Sequence, residues 1–237
     1  MMTPADLAAA AQPWHAPLWR MVEAQHVTST MKLVDSASEH SLLEILIEQG
    51  KPPVPATATG LDYLLASPFR YPPYPQGSRF RGATDPGVFY GAHSVRTAAA
   101  ELGYWRWRFL QDSPALESIG PVAHTAFHVK AAGRAIDLRQ PPLSAQEASW
   151  RAPRDYGATQ ALGRLARAAE LDAIVYASVR DPASGWCAAL LAPRAFAQPR
   201  PDPRTQSWWL TVTQREAIWL RGGDERLCFE TAAWQAA

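Results

Sequence analysis

Proline divides this chain into segments and so limits what it can fold into. The 237 residues include 21 prolines, which concentrate at 52–55, 68–75 and 193–203. Proline fixes φ and has no backbone N–H donor, so these stretches cannot continue a helix or occupy the centre of a sheet. Regular elements must form between them, joined by many irregular connections.

The patterns between the prolines predict an α+β fold. Helices are expected at 37–49, 95–110 and 158–169. Short strands are expected at 18–22, 88–91, 122–131, 135–138, 173–179, 186–191, 208–213, 217–220 and 227–230. Because strands outnumber helices, we predict mixed or antiparallel sheets with flanking helices rather than an alternating parallel sheet.

Two of these helices have clear N-terminal signals. Ser36 can cap the first, and Glu39 can complete a capping box by reaching back to the Ser36 backbone. Ser94 can cap the second, whose core face is expected to include Trp105 and Phe109. The first helix is also expected to have a broad apolar face, formed by Leu42, Leu43, Ile45, Leu46 and Ile47.

The chain is expected to form one domain over 18–237, with its specific core at 77–191, after a flexible leader at 1–17. The leader lacks the basic region and apolar stretch of a signal peptide. No segment approaches the roughly 18–20 apolar residues of a membrane span. We therefore expect a cytoplasmic protein with no membrane contact.

Composition excludes several classes of function. The chain has 23 basic and 22 acidic residues, so it has no broad attraction for nucleic acid, and any anion must meet a local cluster. Two cysteines are too few for a disulfide scaffold. His124 and His128 have the spacing of a helical metal site, but they lie in a predicted strand with no obvious third ligand. We therefore expect no metal.

The most informative stretch contains Arg79, Tyr90 and Glu101. A planar guanidinium suits a phosphate, and a tyrosine ring can stack on a heterocycle. A carboxylate can fix a ribose hydroxyl or stabilise a cationic sugar-like transition state. These groups could hold a dinucleotide and break its glycosidic bond. From spacing alone the functional signal is weak, and an ordinary surface pair of Arg79 and Glu101 with a core Tyr90 is the favoured explanation.

Three motifs in this stretch resemble the RES domain family, named for its shared arginine, glutamate and serine. Residues 77–80 read Gly-Ser-Arg-Phe, 86–92 read Pro-Gly-Val-Phe-Tyr-Gly-Ala, and 98–101 end on the glutamate. The family serine is matched by Ser178 after a small apolar strand, and its first-strand arginine by Arg20.

The resemblance implies a fold similar to the ADP-ribosyltransferase toxins, with NAD as substrate. Characterised relatives are bacterial toxins that hydrolyse or phosphorolyse NAD, or transfer its ADP-ribose to a protein. Their partner is an antitoxin with a helix-turn-helix part, which covers the active site. A catalytically inactive module that binds a nucleotide or a partner is the alternative, and a homo- or hetero-oligomer is compatible with either.

The resemblance also implies a role for each residue. Arg79 would hold the NAD phosphates together with Arg20, and Tyr90 would pack on the nicotinamide end. Glu101 would orient the nicotinamide ribose and stabilise the oxocarbenium ion. Ser178 would form a hydrogen bond near that ribose.

Each role has a structural alternative. Arg20 could pair with a carboxylate, and Ser178 could satisfy a backbone group at a strand end. Tyr90 could be a core residue. Two residues near the motifs, Arg81 and His93, are expected to be solvated and structural, respectively.

Overall fold

The computed structural model describes residues 2–24, 33–73 and 75–235. Residues 23–76, which lie between the first expected strand and the Arg79 motif, are therefore described only in part. Residues 25–32 and Tyr74 lie outside the described residues.

Helices and strands alternate irregularly along the described chain. The helices are α1 Pro4–Ala10, α2 Ala37–Gly50, α3 Tyr63–Arg70, α4 Val95–Gln111, α5 Glu147–Trp150, α6 Gly157–Ala168 and α7 Ala232–Gln235. The strands are β1 Gln12–Glu23, β2 Phe89–Ala92, β3 Ile119–Asp137, β4 Ala173–Ala177, β5 Trp186–Leu190, β6 Gln206–Val212, β7 Glu216–Arg221 and β8 Glu225–Glu230.

The eight strands form one mixed sheet in the order β1-β2-β5-β4-β3-β6-β7-β8. Strand β1 also pairs with β3, so five of the strands form a closed ring. Only the β3–β4 pair is parallel. The predicted α+β class with a mixed sheet is confirmed. The two strands expected at 122–131 and 135–138 are a single strand, β3, which continues through Gly133.

Hydrophobic clusters cover both faces of the sheet. One contains side chains of α1, α4, α6 and α7, and the other contains α3. Consecutive residues of one strand serve opposite faces, as in Ala126 and Phe127 of β3, because side chains alternate along a strand. No described helix is long and apolar enough to cross a membrane.

Residues 2–17, where the sequence predicts a flexible leader, contain the helix α1 and the start of β1. Thr3 caps α1 in a capping box with Asp6, and Leu7 is fully buried. Strand β1 begins at Gln12 and contains Pro13 and Pro17. At these positions β1 pairs with β3 on one side only, and an edge strand tolerates proline because the missing N–H faces away from its neighbour.

Helix α2 has the predicted extent but not the predicted packing. Ser36 caps it as expected, accepting from the backbone N–H of Glu39. The Glu39 carboxylate accepts from the N–H of Asp35 rather than Ser36, so the capping box is wrong in that partner. None of its residues is buried, and Leu42, Ile45 and Leu46 are each more than half exposed. The expected apolar face therefore packs against no core.

Helix α4 is buried on a different face from the predicted one. Ser94 caps it as expected, but Trp105 and Phe109 are 44% and 55% exposed. The buried face centres on Gly103, where an added Cβ would lie 3.3 Å from Trp234 and 3.4 Å from Ala217. Small residues allow the close approach to the C-terminal strands, and the buried aromatic residues of the helix are Tyr104 and Trp107 rather than Trp105 and Phe109.

Candidate active site

A cavity of about 390 Å³ lies where β1, β2 and α4 meet the segment from Tyr176 to Cys187. This volume is within the range of about 300–1,000 Å³ typical of small-molecule sites. Three arginines and one glutamate supply its charges. The lining residues are Trp19, Arg20, Met21, Gln76, Gly77, Ser78, Arg79, Tyr90, Gly91, Ala92, Ala98, Glu101, Leu102, Trp105, Tyr156, Tyr176, Arg180 and Cys187.

Arg79 is 8% exposed and is fixed by carbonyl groups. Its Nη1 donates to the carbonyl oxygens of Trp150 and Ala152, both at 3.0 Å. Its Cζ lies 4.9 Å from the centre of the Tyr156 ring, in cation–π contact. No described carboxylate forms an ion pair with it. The guanidinium is therefore held in place while its charge stays uncompensated.

Tyr90 positions the segment that carries Arg79. Its hydroxyl lies 2.8 Å from Ser78 Oγ and accepts from the Phe80 N–H at 3.0 Å. These partners flank Arg79 in sequence. Burial raises the pKa of Tyr90, so the phenol stays neutral at physiological pH. Its ring lines the cavity, and the hydroxyl serves the fold.

Arg20 reaches the same cavity from β1. Its Nη1 donates to the Tyr90 carbonyl at 3.1 Å, and its Cζ lies 4.7 Å from the Phe89 ring centre. It forms no ion pair among the described residues, so the alternative of a carboxylate partner is wrong. Burial lowers the pKa of Arg20 to about 10, which leaves it charged at neutral pH.

Glu101 projects from the second turn of α4 and accepts a hydrogen bond from Ser178. Ser178 Oγ donates to Glu101 Oε1 at 2.6 Å and accepts from the backbone N–H groups of Arg180 and Asp181. Among the described residues, no hydrogen bond reaches Glu101 Oε2. One carboxylate oxygen is therefore fixed by Ser178, and the other accepts no hydrogen bond from the described residues.

Ser178 itself does not line the cavity. The serine is 2% exposed, and its only proton is committed to Glu101. The hydrogen bond from this serine near a ribose stays a prediction, and in the structure its hydroxyl holds Glu101. The structural alternative, in which Ser178 satisfies backbone groups, is also observed, since Oγ accepts from two backbone N–H groups.

Two neutral side chains complete the wall beside Glu101. Burial raises the pKa values of both Tyr176 and Cys187 well above their usual range. Cys187 Sγ lies 3.9 Å from Glu101 Oε1. A thiol in this state is a packing group rather than a thiolate nucleophile.

His93 and Arg81 lie outside the cavity. His93 Nδ1 contacts the Trp186 backbone, and the two rings stack at 5.3 Å, which is the expected structural role. Arg81 is not simply solvated, since it donates to the carbonyls of Asp85 and Tyr71. The described residues contain no cluster of three potential metal ligands.

Arg180 and Tyr156 are the site residues that sequence reasoning missed. Arg180 follows Ser178 by two positions, so its place beside the motif serine was a usable signal. No sequence signal marked Tyr156, because its contact with Arg79 joins two residues that lie more than seventy positions apart in the chain.

Comparisons with known proteins agree with the motifs. The family model of the RES domain matches residues 54–213, which is more than half of the chain and includes Arg79, Tyr90, Glu101 and Ser178. No curated protein matches. A crystal structure of the M. tuberculosis MbcT–MbcA toxin–antitoxin complex is similar with a TM-score of 0.46 and 13% identity, over 95% of this chain and 90% of that chain. A TM-score this low carries no argument, so the assignment rests on the family match: the chain belongs to the RES domain family.

Proposed function

We propose that this chain is a RES-family toxin that binds NAD and cleaves the bond between nicotinamide and ribose. The observation that carries the proposal is one cavity that joins Glu101 with Arg79 and Arg20. The cationic residues suit the pyrophosphate, and the carboxylate suits the sugar that becomes cationic. Membership of the family favours NAD over other dinucleotides.

The arginines would hold the phosphates. Arg79 and Arg20 are already anchored to carbonyl oxygens, so little side-chain freedom is lost when a phosphate binds. Neither has a carboxylate to displace among the described residues. Both features favour an anionic ligand.

Glu101 would act at the ribose. As the bond from C1′ to the nicotinamide nitrogen breaks, its electron pair leaves with neutral nicotinamide, and positive charge develops on the ribose ring. Glu101, held through Oε1 by Ser178, would place Oε2 against that ribose. Water, which then loses a proton, or phosphate would add to C1′ and complete hydrolysis or phosphorolysis.

An antitoxin that covers this cavity is the partner we propose. The support is family membership, together with Trp105, a cavity-lining indole that is 44% exposed. A covering protein would shield this indole from water. A helix-turn-helix protein encoded beside this chain, added to the purified enzyme, should stop NAD consumption in a one-to-one ratio.

The direct test is product analysis of NAD incubated with the purified protein, with and without inorganic phosphate. We expect free nicotinamide, with ADP-ribose as the second product if water is the acceptor and phosphorylated ADP-ribose if phosphate is. Arg79→Ala should remove nicotinamide release while the protein stays folded by circular dichroism.

The control is Arg204→Ala, which removes an exposed arginine already paired with Asp202 and should leave the rate unchanged. Intact NAD after incubation with the folded wild-type protein would contradict the proposal. Radiolabelled ADP-ribose retained on a protein band would assign transfer to a protein instead.

A further inference from the structure

Arg180 is a third arginine of the cavity wall, and neither the motifs nor the family match gives it a role. It is 2% exposed and lies in the loop between β4 and β5. Its backbone N–H donates to Ser178 Oγ, and its carbonyl accepts from Trp234 Nε1 at 2.8 Å. Arg180 is thus fixed to the serine that holds Glu101 and to the C-terminal helix α7.

The Arg180 guanidinium has a buried N–H donor without an acceptor. Its Nη2 donates to the Pro153 carbonyl, whereas its buried Nη1 has no hydrogen-bond partner. Five buried side-chain atoms in the described residues lack a partner, and Arg180 Nη1 is the only one whose residue lines the cavity. An unsatisfied buried donor is costly in a folded protein, and a ligand oxygen would satisfy it.

Arg180 and Arg79 both donate to carbonyl groups of one short segment. Arg79 donates to Trp150 and Ala152, and Arg180 donates to Pro153, the next residue. Each guanidinium also rests against an aromatic ring, Arg180 with its Cζ 3.5 Å from the ring centre of Tyr104. Both cations line the cavity, and neither forms an ion pair with a described carboxylate, which is the arrangement expected where an anion binds.

Charge supports the same conclusion. Three arginines and one glutamate line the cavity, giving a net charge of +2 at neutral pH. A pyrophosphate diester has two negative charges, so it would neutralise the cavity. Two arginines without Arg180 would leave half of that charge unmatched.

We propose that Arg180 and Arg79 form a two-arginine clamp for the pyrophosphate of the dinucleotide, with Arg180 Nη1 donating to a phosphate oxygen. The proposal rests on the proposed function for the identity of the ligand. It assigns Arg180 to substrate binding rather than to the stability of the fold.

The test is calorimetric titration of the Glu101→Gln protein, which should not consume its ligands, with and without Arg180→Met. The probes are ADP-ribose, which has the pyrophosphate, and nicotinamide riboside, which has no phosphate. Arg180→Met should weaken ADP-ribose binding about 10- to 100-fold, as for a lost charged hydrogen bond, and change riboside binding less than about twofold.

Two further variants keep the result interpretable. Arg180→Lys keeps the charge without the planar fork, so it should weaken ADP-ribose binding about 3- to 10-fold. Arg167→Met is the matched control, because Arg167 also has an unpartnered buried Nε and donates only to carbonyls, but it lies outside the cavity. It should leave both affinities unchanged. If Arg180→Met does not fold, Arg180→Lys with the parent's affinity for ADP-ribose contradicts the clamp.

The outcomes separate this proposal from the proposed function. Unchanged ADP-ribose affinity in Arg180→Met, or equal weakening for the riboside, overturns the clamp even if the wild-type protein cleaves NAD. Weaker binding of inorganic phosphate alone overturns it as well and assigns Arg180 to an acceptor phosphate. Arg180-dependent binding of ADP-ribose, combined with intact NAD after incubation with the wild-type protein, supports the clamp and contradicts NAD cleavage.

Discussion

Arginines of the cavity and arginines of the surface are held in different ways. On the surface, Arg204 and Arg221 pair with Asp202 and Glu225 at 3.1 and 2.6 Å. In the cavity, Arg20, Arg79 and Arg180 donate to backbone carbonyls and rest on aromatic rings, with no ion pair among the described residues.

The difference shows where positive charge is available for a ligand. A surface pair neutralises its arginine and contributes little to stability, because water and salt screen it. A buried arginine without a carboxylate is unfavourable in the free protein, and an arriving anion relieves that cost. A chain with a net charge of only +1 can therefore still bind a dianion at one place.

The largest effect on the reaction rate is expected when the cavity loses Glu101, its one carboxylate, and keeps its three arginines. Glu101→Gln should lower the rate of nicotinamide release about 10²- to 10⁴-fold, because the developing positive charge loses its counter-charge. NAD affinity should be kept or increased, since the cavity becomes more positive. Single-turnover kinetics and calorimetry measure the two quantities. A rate near that of the wild-type protein would remove Glu101 from the reaction.

Loss of the hydrogen bond from Ser178 should let the Glu101 carboxylate pair with an arginine, as carboxylates do at the surface. Ser178→Ala removes the donor to Oε1 and frees the carboxylate to turn toward an arginine. We expect kcat to fall about 10- to 100-fold with KM for NAD changed much less, as for a positioning residue. Ser178→Thr, which keeps the hydroxyl, should recover part of kcat. A change confined to KM would instead indicate direct contact between Ser178 and NAD.

Loosening the Arg79 segment is expected to have a moderate effect. Tyr90→Phe leaves Ser78 Oγ and the Phe80 N–H without their buried partner. The free energy of unfolding should fall by about 1–3 kcal/mol, measured by urea denaturation. NAD affinity should fall with it, because Arg79 lies between the two released groups. Unchanged stability would show that the hydroxyl does not hold this segment.

A surface ion pair should matter least. Arg204 holds the pKa of Asp202 at about 2, below its usual value of 3.8, so this contribution to stability is present above about pH 4. It is lost as the pH falls through 2, when the carboxylate becomes protonated. Asp202→Asn should therefore leave the melting temperature nearly unchanged at pH 7, with any small difference from the wild-type protein vanishing near pH 2. A large fall in the melting temperature of Asp202→Asn at pH 7 would contradict the statement that surface ion pairs contribute little to stability.

Sequence predicted the helix limits well because local chemistry sets them. Ser94 and Ser36 cap their helices by accepting backbone N–H groups three residues ahead, and both signals are visible in the sequence. Burial was predicted poorly because it depends on distant partners. The wide apolar pattern of α2 meets no core, and α4 is buried through Gly103, which the hydrophobic pattern did not mark.

The site shows the same division. Arg79, Tyr90 and Glu101, which the motifs mark, line one cavity. The short strand β2 and the helix α4 that follows it keep Tyr90 and Glu101 close, and the Tyr90 hydroxyl holds the residues on either side of Arg79. The motifs could not show that the Ser178 hydroxyl donates to Glu101, since the direction of that hydroxyl is set by two N–H groups of its own loop. The place of the Arg180 side chain could not be predicted either, because it depends on a hydrogen bond to the Pro153 carbonyl that only the folded chain brings within reach.

A crystal structure of Glu101→Gln with NAD tests the central claim most directly, namely that this cavity holds NAD with its pyrophosphate on the arginines and its nicotinamide ribose beside residue 101. We expect phosphate oxygens within hydrogen-bond distance of Arg79, and the C1′ atom near the substituted side chain. NAD bound elsewhere on the protein, or with its phosphates away from the arginines, would contradict the claim.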